Sequence, residues 1–193
     1  MSYKVCHLTT VHSPLDVRIF YKECKTLHEA GLSVVLMAQS EDDNVIDGIR
    51  IKALPKVKNR LSRMLQLPWI ALSKALRENA AVYHFHDPEL IPVALILKLY
   101  GKKVIYDVHE DVPRDILFKT YINPYLAVAL SHFSEWLEGF SAKRFDAVVT
   151  ATSHIGLRFS KINHRTVVVN NYPLLNEMYT PVIWEDRENC VAY

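Results

Sequence analysis

Residues 27–36, LHEAGLSVVL, and residues 98–106, KLYGKKVIY, both pass directly from the end of a helix into a buried strand. In each stretch a glycine, Gly31 or Gly101, stands where a left-handed residue commonly terminates a helix, and apolar, mostly β-branched residues follow it. A parallel sheet built from βαβ units needs such a junction at each return to the sheet. The two stretches therefore predict an α/β protein with a mainly parallel sheet.

Short apolar runs along the rest of the chain fit the strands of such a sheet, because β-branched residues are frequent in them and helical patterns separate them. We predict strands at residues 4–10, 32–38, 81–85, 103–108, 147–150 and 166–169. Asp47-Gly48, between two further apolar runs, predicts a tight hairpin. The fold class is therefore α/β: a Rossmann-like, doubly wound, mainly parallel sheet with a local β-hairpin.

Composition and charge describe one globular domain and exclude several classes of protein. The 193 residues are 50% hydrophobic with a net charge of +2, so bulk charge gives no sign of a nucleic-acid partner. Cys6, Cys24 and Cys190 are scattered, which argues against a disulfide framework and a thiolate metal site. No GxGxxG or GxxxxGK[ST] motif occurs, so a nicotinamide dehydrogenase or a P-loop NTPase is not expected. With neither a signal peptide nor a membrane-spanning run, we expect a cytoplasmic protein, with any membrane contact peripheral at the inner face.

Histidines gather where the predicted strands end, which is the edge at which open parallel sheets bind ligands. His12 follows the first strand, His86 and Asp87 end a later one, and His109 with Glu110 ends the next. Imidazole and carboxylate groups at one edge can hold a polar ligand. We therefore expect the functional site at this edge.

Three interpretations of this histidine group stay open. A metal-dependent hydrolase would use His84, His86, Asp87 and His109 as ligands, although no HExxH-type signature is present. A structural role fits His84 best, since it lies deeper in its strand. Contacts to a bound ligand explain His86, His109 and Glu110 without a complete set of metal ligands. A metal assay separates the first interpretation from the other two.

Two junctions at the same edge carry residues that favour helix starts. Ser13-Pro14 predicts a helix with Asp16 in its first turn, and Asp87-Pro88 predicts another. Helix N-termini suit phosphate or sugar hydroxyls, although capping alone explains these residues equally well. Arg18 either meets an anionic acceptor or pairs with Asp16.

Several separated stretches, by their order and spacing, resemble the N-terminal domain of family-four (group 1) glycosyltransferases with the GT-B fold. They are residues 4–9 (KVCHLT), 16–19 (DVRI), 27–35 around Gly31, 82–87 (VYHFHD), 104–110 (VIYDVHE), 146–150 (DAVVT) and 167–173 (VVVNNYP). The loop at 11–15 departs from many relatives, because it lacks their paired glycines.

The resemblance implies a retaining transferase that moves a sugar from a nucleotide-sugar donor to a glycan or lipid-linked acceptor, in polysaccharide or cell-envelope biosynthesis. In such enzymes the N-terminal domain holds the acceptor, and a histidine matching His109 contacts the donor sugar, so His109 is the candidate catalytic residue. The candidate substrate-binding residues are His12, Asp16, Arg18, His86, Asp87 and Glu110. The nucleotide sugar is a co-substrate, and no metal cofactor is expected.

The resemblance also implies a division of the chain. Residues 1–173 form the Rossmann-like acceptor-side domain, and residues 174–193 form a linker and the first strand of a missing C-terminal donor domain. Because the donor-binding loop and basic residues are absent, we expect the chain alone to be inactive. Its partner is a donor domain in the same or a separate chain, and a non-catalytic subunit of a split transferase stays an alternative.

The segment from residue 49 to residue 77 is strongly basic. It contains eight basic residues and no acidic one, so the rest of a chain of net charge +2 carries −6. A basic amphipathic helix with tryptophan is typical of anionic membrane surfaces, to which each basic residue contributes about 1 kcal/mol. A helix whose apolar stripe packs on the sheet is the alternative. The candidate membrane or acceptor surface is Lys56, Lys58, Arg60, Arg63 and Trp69, and the candidate stripe is Leu61, Leu65, Trp69, Leu72 and Leu76, with Pro68 kinking the helix or starting a second one.

A second long helix is predicted at residues 125–145. Its apolar face is expected to pack in the core: Leu126, Leu130, Phe133, Leu137 and Phe140. Tyr121, Tyr125 and Trp136 serve either packing or a platform for a sugar ring. Asp107 lies inside a predicted strand, where a buried carboxylate needs a partner that the sequence does not name.

Overall fold

The computed structural model describes residues 3–173, which form an eight-stranded sheet with helices on both faces. The strands are β1 (Lys4–Leu8), β2 (Ser33–Gln39), β3 (Asn44–Ile46), β4 (Ile49–Leu54), β5 (Val82–Phe85), β6 (Lys103–Val108), β7 (Ala147–Thr150) and β8 (Thr166–Val168). The helices are α1 (Lys25–Glu29), α2 (Arg60–Glu78), α3 (Ile91–Leu99), α4 (Val112–Leu117), α5 (Pro124–Ala142) and α6 (Ser153–Ser160). A π-helical segment, Val17–Cys24, runs into α1, and a 3₁₀ turn, Pro88–Leu90, runs into α3.

The strand order is β3-β4-β2-β1-β5-β6-β7-β8, and every pair is parallel except β3 with β4. From β1 the chain builds outward through β2 to the β3–β4 hairpin, then returns to β5 on the other side of β1. The strand order therefore reverses between β1 and β5, and ligands of open α/β sheets bind at this kind of switch point. The predicted doubly wound, mainly parallel sheet is confirmed.

The six strands predicted from apolar runs are all present, and two of them, β6 and β7, have the predicted bounds. The largest difference is at β1, which ends at Leu8, because Thr9 and Thr10 turn their polar groups toward Asp87 instead of continuing the strand. The hairpin is confirmed, since Asp47 and Gly48 both have positive φ, at 49° and 78°. Two successive positive φ angles are what a tight two-residue turn requires.

The glycines of the two helix-to-strand junctions adopt the predicted left-handed conformation, with φ of 85° at Gly31 and 74° at Gly101. The predicted helix start at Ser13-Pro14 is wrong. Asp16 caps the helix instead, because its Oδ1 accepts hydrogen bonds from the backbone N–H groups of Arg18 and Ile19, both at 2.9 Å. The residues after Ser13 form a turn that ends with the Asp16 N–H donating to the Ser13 carbonyl.

Helix α2 continues through Pro68, so of the two alternatives for this residue, a kink or the start of a second helix, the second is wrong. Its apolar stripe divides along its length. Leu72 and Leu76 pack on the core, whereas Leu61 and Trp69 are 67% and 55% exposed. The packing interpretation is therefore confirmed for the C-terminal half of α2 and wrong for the N-terminal half. In that half the predicted stripe, including Leu65, faces solvent, while Leu67 is the leucine that is buried.

The predicted core face of α5 is wrong. Leu126, Leu130, Phe133 and Phe140 are exposed, and of the predicted face only Leu137 packs on the core. The buried side of the helix consists of small or polar residues instead: Ala127, Ser131, Glu138, Ser141 and Ala142. Small residues let the helix approach its neighbours closely, and Glu138 is satisfied there by Tyr106 and Arg158, so the larger apolar side chains point outward.

Two hydrophobic clusters lie on opposite faces of the sheet. The larger one joins β1, β5 and β6 to α2, α3, α5 and α6, and the smaller one packs the π-helical segment against β2 and β4. Within residues 3–173 no helix combines the length and apolar character needed to cross a bilayer. The predicted linker and strand at 174–193, with Cys190, lie outside the described residues.

Candidate functional site

The carboxyl ends of β1, β5 and β6 meet at the switch point of the sheet and carry the polar residues of the site. The register aligns His7 of β1 with His84 of β5, and His84 with Ile105 of β6. The following residues of these strands, His86 and Asp107 among them, therefore reach the same edge. The π-helical segment crosses this edge and adds Arg18.

Asp107 is the centre of a buried hydrogen-bonded group. Arg18 donates to it twice, from Nε to Oδ2 at 3.0 Å and from Nη2 to Oδ1 at 2.8 Å. Nδ1 of His86 and Nε2 of His109 lie 3.2 and 2.7 Å from Oδ2. Arg18 also donates from Nη1 to the carbonyl of Val169 at 2.7 Å, which ties β8 to the site. Arg18 thus pairs with Asp107, not with Asp16.

The ionisation of this group follows from burial and from these bonds. Burial raises the pKa of the Asp107 carboxyl, but hydrogen bonds from His109, His86 and Arg18 outweigh it and hold this pKa well below its usual range. Burial lowers the pKa of His86 despite the attraction of Asp107. Asp107 is therefore an anion, and a neutral His86 donates its Nδ1 proton to it.

His109 projects from this group into an open cavity of about 680 Å³. Because its Nε2 is engaged by Asp107, Nδ1 is the ring nitrogen that remains for a ligand. Hydrogen bonding to a carboxylate favours the tautomer in which Nε2 carries the proton, so Nδ1 offers a lone pair. The cavity is lined by His12, Asp16, Val17, Arg18, His109, Glu110, Ala151, Thr152, Asn170, Asn171 and Tyr172.

His12 separates this cavity from a second one of about 690 Å³ on the β2 side. Its ring lies 5.1 Å from the ring of His109, and its Nδ1 lies 3.1 Å from Oδ2 of Asp16. Asp16 thus holds His12 with one oxygen and caps the helix with the other. The second cavity is lined by Val11, His12, Ser13, Pro14, Gln39, Ser40, Glu41, Lys56 and Val57.

Asp87 starts the 3₁₀ turn as predicted, but its side chain does not cap that turn. Oδ2 instead accepts hydrogen bonds from Thr9 Oγ1 at 2.8 Å and from the Thr10 N–H at 2.6 Å. Glu89 then accepts from Thr10 Oγ1 at 2.9 Å and from Arg63 Nε at 3.0 Å. Asp87 therefore shapes the loop after β1, while its side chain is buried.

The predicted metal set of His84, His86, Asp87 and His109 is not brought together. Asp87 faces the threonines of the β1 loop, and His84 and His109 fall in different clusters. Among the described residues, the groups close enough to share an ion are His7, Glu23, His84 and His86, and separately His86, Asp107 and His109. The hydrolase arrangement is thus not formed by these residues.

The basic surface is only partly available for a partner. Lys56 pairs with Glu41 at 2.9 Å and Arg63 pairs with the buried Glu89, whereas Lys58 and Arg60 form no ion pair with any residue from 3 to 173. Arg60 Nη1 instead lies 3.4 Å from the hydroxyl of Tyr121. That contact places the exposed start of α2 beside the loop before α5.

The predicted aromatic residues lie outside both cavities. Tyr121 and Tyr125 are 73% and 88% exposed, and Trp136 stacks on Phe140 with ring centroids 5.5 Å apart. None of the three lines the cavities that share His12. A stacking role for a sugar at the strand ends is therefore unsupported for them.

Two residues behind the site were missed by sequence reasoning. His7 and Glu23 are packed against His84 and His86 beneath the π-helical segment. Burial, with the nearby Asp107 carboxylate, raises the pKa of Glu23 to about 10. A polar residue inside the apolar run 4–10 was the signal for His7, but Glu23 gave none, since its partners are set by the fold.

Comparisons with solved structures agree with the architecture. Sucrose-phosphate synthase from Thermosynechococcus elongatus superposes with a TM-score of 0.66 at 11% identity, over 88% of this chain and 48% of that one. The catalytic domain of starch synthase IV from Arabidopsis thaliana, bound to ADP and acarbose, gives 0.58 at 11% identity, over 88% and 51%. A UDP-forming trehalose-phosphate synthase from Burkholderia xenovorans gives 0.52 at 13% identity, over 83% and 42%.

At these identities the superpositions establish the fold alone, and the chain spans about half the length of the proteins it resembles. No curated protein matches the chain significantly by sequence. The family model of Glycosyltransferase Family 4 matches residues 17–171, which include the π-helical segment, the strand ends at the switch point and β8. The chain therefore belongs to Glycosyltransferase Family 4, and its sheet is that of a GT-B glycosyltransferase domain.

Proposed function

We propose that this chain is the acceptor-side domain of a retaining glycosyltransferase, which transfers a sugar from a nucleotide-sugar donor to a glycan or lipid-linked acceptor. The observation that carries the proposal is the position of His109. In a family-four domain it stands at the switch point, held by a buried carboxylate and open to a cavity on its other side. We place the enzyme in polysaccharide or cell-envelope biosynthesis and the protein in the cytoplasm.

His109 contacts the sugar near the reacting carbon. Its Nδ1 accepts a hydrogen bond from a sugar hydroxyl, while Asp107 fixes the ring through Nε2. A fixed acceptor holds the sugar in one orientation without the entropy cost of ordering a free side chain. Glu110 and His12 line the same cavity and supply the further polar contacts.

The acceptor occupies the cavity on the β2 side, and the donor sugar reaches His109 from the other cavity. His12 lies on the border of both, so a sugar in either cavity lies close to it. Arg18, His86 and Asp87 act as positioning residues, because their side chains are at most 5% exposed and engaged in the protein. Asp16 positions His12 and the helix start.

The nucleotide part of the donor is bound by a second domain, in the same or a separate chain. The lengths of the superposed proteins support a second domain, since this chain covers only 42–51% of each of these transferases. No metal is needed for the transfer, because a second domain can stabilise the leaving diphosphate with basic residues and helix N-termini.

We further propose that the exposed start of α2 and the loop before α5 rest on an anionic membrane that carries the acceptor. This surface combines Lys58 and Arg60, which form no ion pair within residues 3–173, with the exposed Leu61, Trp69 and Tyr121. Basic and aromatic side chains around exposed leucines are typical of interfacial contacts. The surface lies at the same edge as the catalytic cavity, because Arg63 of α2 pairs with Glu89 beside Thr10.

Co-sedimentation with vesicles tests the membrane surface. We expect the chain to bind phosphatidylglycerol vesicles at low salt, and Leu61→Glu to weaken binding, since the substitution puts a charge at the apolar contact. Leu99→Glu is the control, because Leu99 is 87% exposed at the end of α3, at the opposite edge of the sheet. The membrane surface is contradicted if both variants lose vesicle binding equally, or if the wild-type chain does not bind the vesicles.

Turnover tests the transferase assignment. Residues 1–193 alone are expected to release no nucleotide from a panel of UDP-, GDP- and ADP-sugars, whereas the same chain joined to a donor-binding domain transfers sugar with retention. The anomeric configuration of the product is read by NMR. Turnover by residues 1–193 alone at ordinary enzymatic rates would contradict the division of labour proposed here.

A further inference from the structure

A second cluster of polar side chains lies behind the candidate site, between the sheet and the π-helical segment. His7 comes from β1, His84 and His86 come from β5 and its end, and Glu23 comes from the helix above them. His7 and His84 face each other because they are register partners in neighbouring parallel strands. His84 and His86 share a face because they are two residues apart on an extended chain. Three imidazoles and one carboxyl group thus meet in the protein interior.

The donor atoms of these four side chains converge on one point. Oε2 of Glu23 lies 3.8 Å from Nδ1 of His7, 3.8 Å from Nδ1 of His84 and 3.9 Å from Nε2 of His86. Nδ1 of His7 lies 3.0 Å from Nε2 of His86. The ligands of a tetrahedral zinc ion, at about 2.0–2.1 Å from the metal, are about 3.4 Å apart. One of these distances is shorter and three are longer than that value, and all four donor atoms lie within 4.8 Å of one another, so the four side chains can share one ion if they shift toward it.

The hydrogen bonding of the cluster is incomplete without a further partner. Both carboxyl oxygens of Glu23 are buried, and neither accepts a hydrogen bond within residues 3–173. Oε1 has an ion-pair contact with Nε of Arg18, whereas Oε2 faces the three histidines at 3.8–3.9 Å. Buried carboxylates are normally hydrogen-bonded or paired, because an unsatisfied oxygen loses its hydration without compensation. The Glu23 side chain is 13% exposed, but its two oxygens are themselves buried, so bulk solvent does not supply the missing partner.

The groups around the cluster also suit a cation, which would replace the proton that the Glu23 carboxyl keeps through its raised pKa. Glu23 and Asp107 place two carboxyl groups beside a single guanidinium, Arg18, whose Nε lies 3.1 Å from Oε1 of Glu23. His86 presents Nε2 to the cluster while its Nδ1 lies 3.2 Å from Asp107. A carboxylate that holds the far nitrogen of a histidine is the usual outer partner of a histidine bound to a metal.

We propose that His7, His84, His86 and Glu23 bind a structural divalent transition-metal ion of the zinc class. Nδ1 of His7, Nδ1 of His84, Nε2 of His86 and one oxygen of Glu23 are its four ligands. Four protein ligands in a buried place leave no open position, which is the property of a structural site and not of a catalytic one. The ion fastens the π-helical segment to β1 and β5, and through His86 it orients Asp107 beneath His109.

The four proposed ligands differ from the hydrolase ligands, His84, His86, Asp87 and His109, and from the alternatives that were expected from the sequence. The proposed site uses His7 and Glu23, which those expectations omit, and it leaves out Asp87 and His109. It is also independent of the expectation that sugar transfer itself uses no metal, because the ion does not touch the cavity. Its failure would leave the transferase proposal intact.

Metal content and spectroscopy of the 193-residue chain test the site. The purified chain is stripped with a chelator, reloaded with zinc or cobalt(II), and freed of excess ion by gel filtration. We expect about one ion per chain, the intense visible bands of tetrahedral cobalt(II), and a zinc-dependent rise in Tm, since a ligand bound only by the folded state stabilises it.

Matched variants locate the ion. His84→Gln and Glu23→Gln are expected to weaken cobalt binding by at least about tenfold, because even loss of an outer partner of a metal ligand costs about 10–100-fold. His154→Gln, at a side chain 84% exposed, and His109→Gln, in the neighbouring cluster, are expected to bind cobalt as the wild type does. Circular dichroism reports whether each variant is folded.

The outcomes separate the alternatives. A stripped wild type that takes up neither zinc nor cobalt overturns the proposal, whatever the variants do. Loss of the ion in His109→Gln with retention in Glu23→Gln also overturns it, because the ion would then lie at Asp107. If a ligand variant does not fold, the wild-type cobalt spectrum decides, since an octahedral spectrum contradicts a closed four-ligand site.

Discussion

Asp107 accepts hydrogen bonds from one arginine and two histidines, and these contacts join four parts of the chain. Arg18 belongs to the π-helical segment, His86 follows β5, and His109 follows the strand of Asp107 itself. Arg18 also reaches the carbonyl of Val169 after β8. The carboxylate therefore serves the stability of the domain as well as the orientation of His109.

Replacing Asp107 by asparagine is expected to lower the free energy of unfolding by about 3–5 kcal/mol, because the change leaves the guanidinium of Arg18 buried without its charge partner. Urea denaturation measures the effect. Asp47→Asn is the control, since the Lys25–Asp47 pair is exposed and such pairs contribute about 0–1 kcal/mol. Equal effects of the two substitutions would show that the Arg18–Asp107 pair does not stabilise the fold.

Most residues at the carboxyl ends of the strands could be predicted from the sequence, but their hydrogen-bond partners could not. His12, His86, His109 and Glu110 follow apolar runs, so their common edge could be predicted from strand ends alone. The partner of Asp107 could not, because Arg18 is 89 residues away and reaches it only through the order of the strands. His7 was hidden for the same reason, since its neighbour His84 is identified only by the register of β1 and β5.

At the scale of single elements, the geometry of the π-helical segment determines which of its own side chains point toward the sheet. Glu23 is five positions after Arg18, and a helix with i→i+5 bonds places residues five positions apart on the same side. In an α-helix these two side chains would diverge. The segment therefore directs both toward the histidines of β5, while Ile19, Phe20 and Cys24 pack in the smaller hydrophobic cluster.

Two helix glycines differ in what surrounds them, and this predicts opposite effects of alanine. At Gly156 in α6 a Cβ atom would lie 2.5 Å from Cγ2 of Val168 and 3.1 Å from Oγ1 of Thr150, so Gly156→Ala should destabilise the domain by about 1–3 kcal/mol. At Gly139 in α5 the nearest atom is 3.8 Å away, so Gly139→Ala should stabilise by about 0.5–1 kcal/mol. Tm measurements distinguish them, and two shifts of the same sign would contradict the packing of α6 on β8.

Asp146 fastens the end of α3 to β6, and its ionisation gives a pH dependence. Burial opposes ionisation, but bonds from Lys98, the Val104 N–H and Lys103 lower the pKa of Asp146 below its model-peptide value of 3.8. Because the pKa in the folded state is the lower one, the stabilisation is present above about pH 4 and disappears as the pH falls below it. Asp146→Asn should therefore be less stable than the wild type at pH 7, with a difference that shrinks at acidic pH. Urea titrations at several pH values check this, and a constant difference would contradict it.

Element by element, strands were easier to predict than helix faces. Buried parallel strands are apolar on both sides, so their runs stand out without knowledge of the neighbours. The predicted core faces of α2 and α5 were partly or wholly wrong. An apolar stripe shows that a helix is amphipathic, but it does not identify the surface that packs against the stripe. The buried residues of α5 are small or polar. Glu138 can be buried because Tyr106 and Arg158 both donate hydrogen bonds to its carboxyl group.

At the scale of the whole molecule, the polar residues of the candidate site line one edge of the sheet, and the cluster of His7, Glu23, His84 and His86 lies just beneath it. The edge is open at two cavities that share His12, and the exposed start of α2 flanks it. The domain spans about half the length of the transferases that share its fold. In the function proposed here, this edge is one wall of a cleft, and a second domain brings the donor to His109.

Transfer kinetics of His109→Ala test the central claim most directly. With the chain joined to a donor-binding domain, and a labelled nucleotide sugar as donor, the substitution should lower kcat/KM by about 10²–10³-fold, because a preorganised contact near the reacting centre is lost. Its Tm should fall less than that of Asp107→Asn, since Arg18 and His86 still donate to Asp107, and circular dichroism checks that the variant is folded. Leu99→Glu at the opposite edge should transfer sugar at the wild-type rate. A His109→Ala enzyme with wild-type kcat/KM would contradict the account.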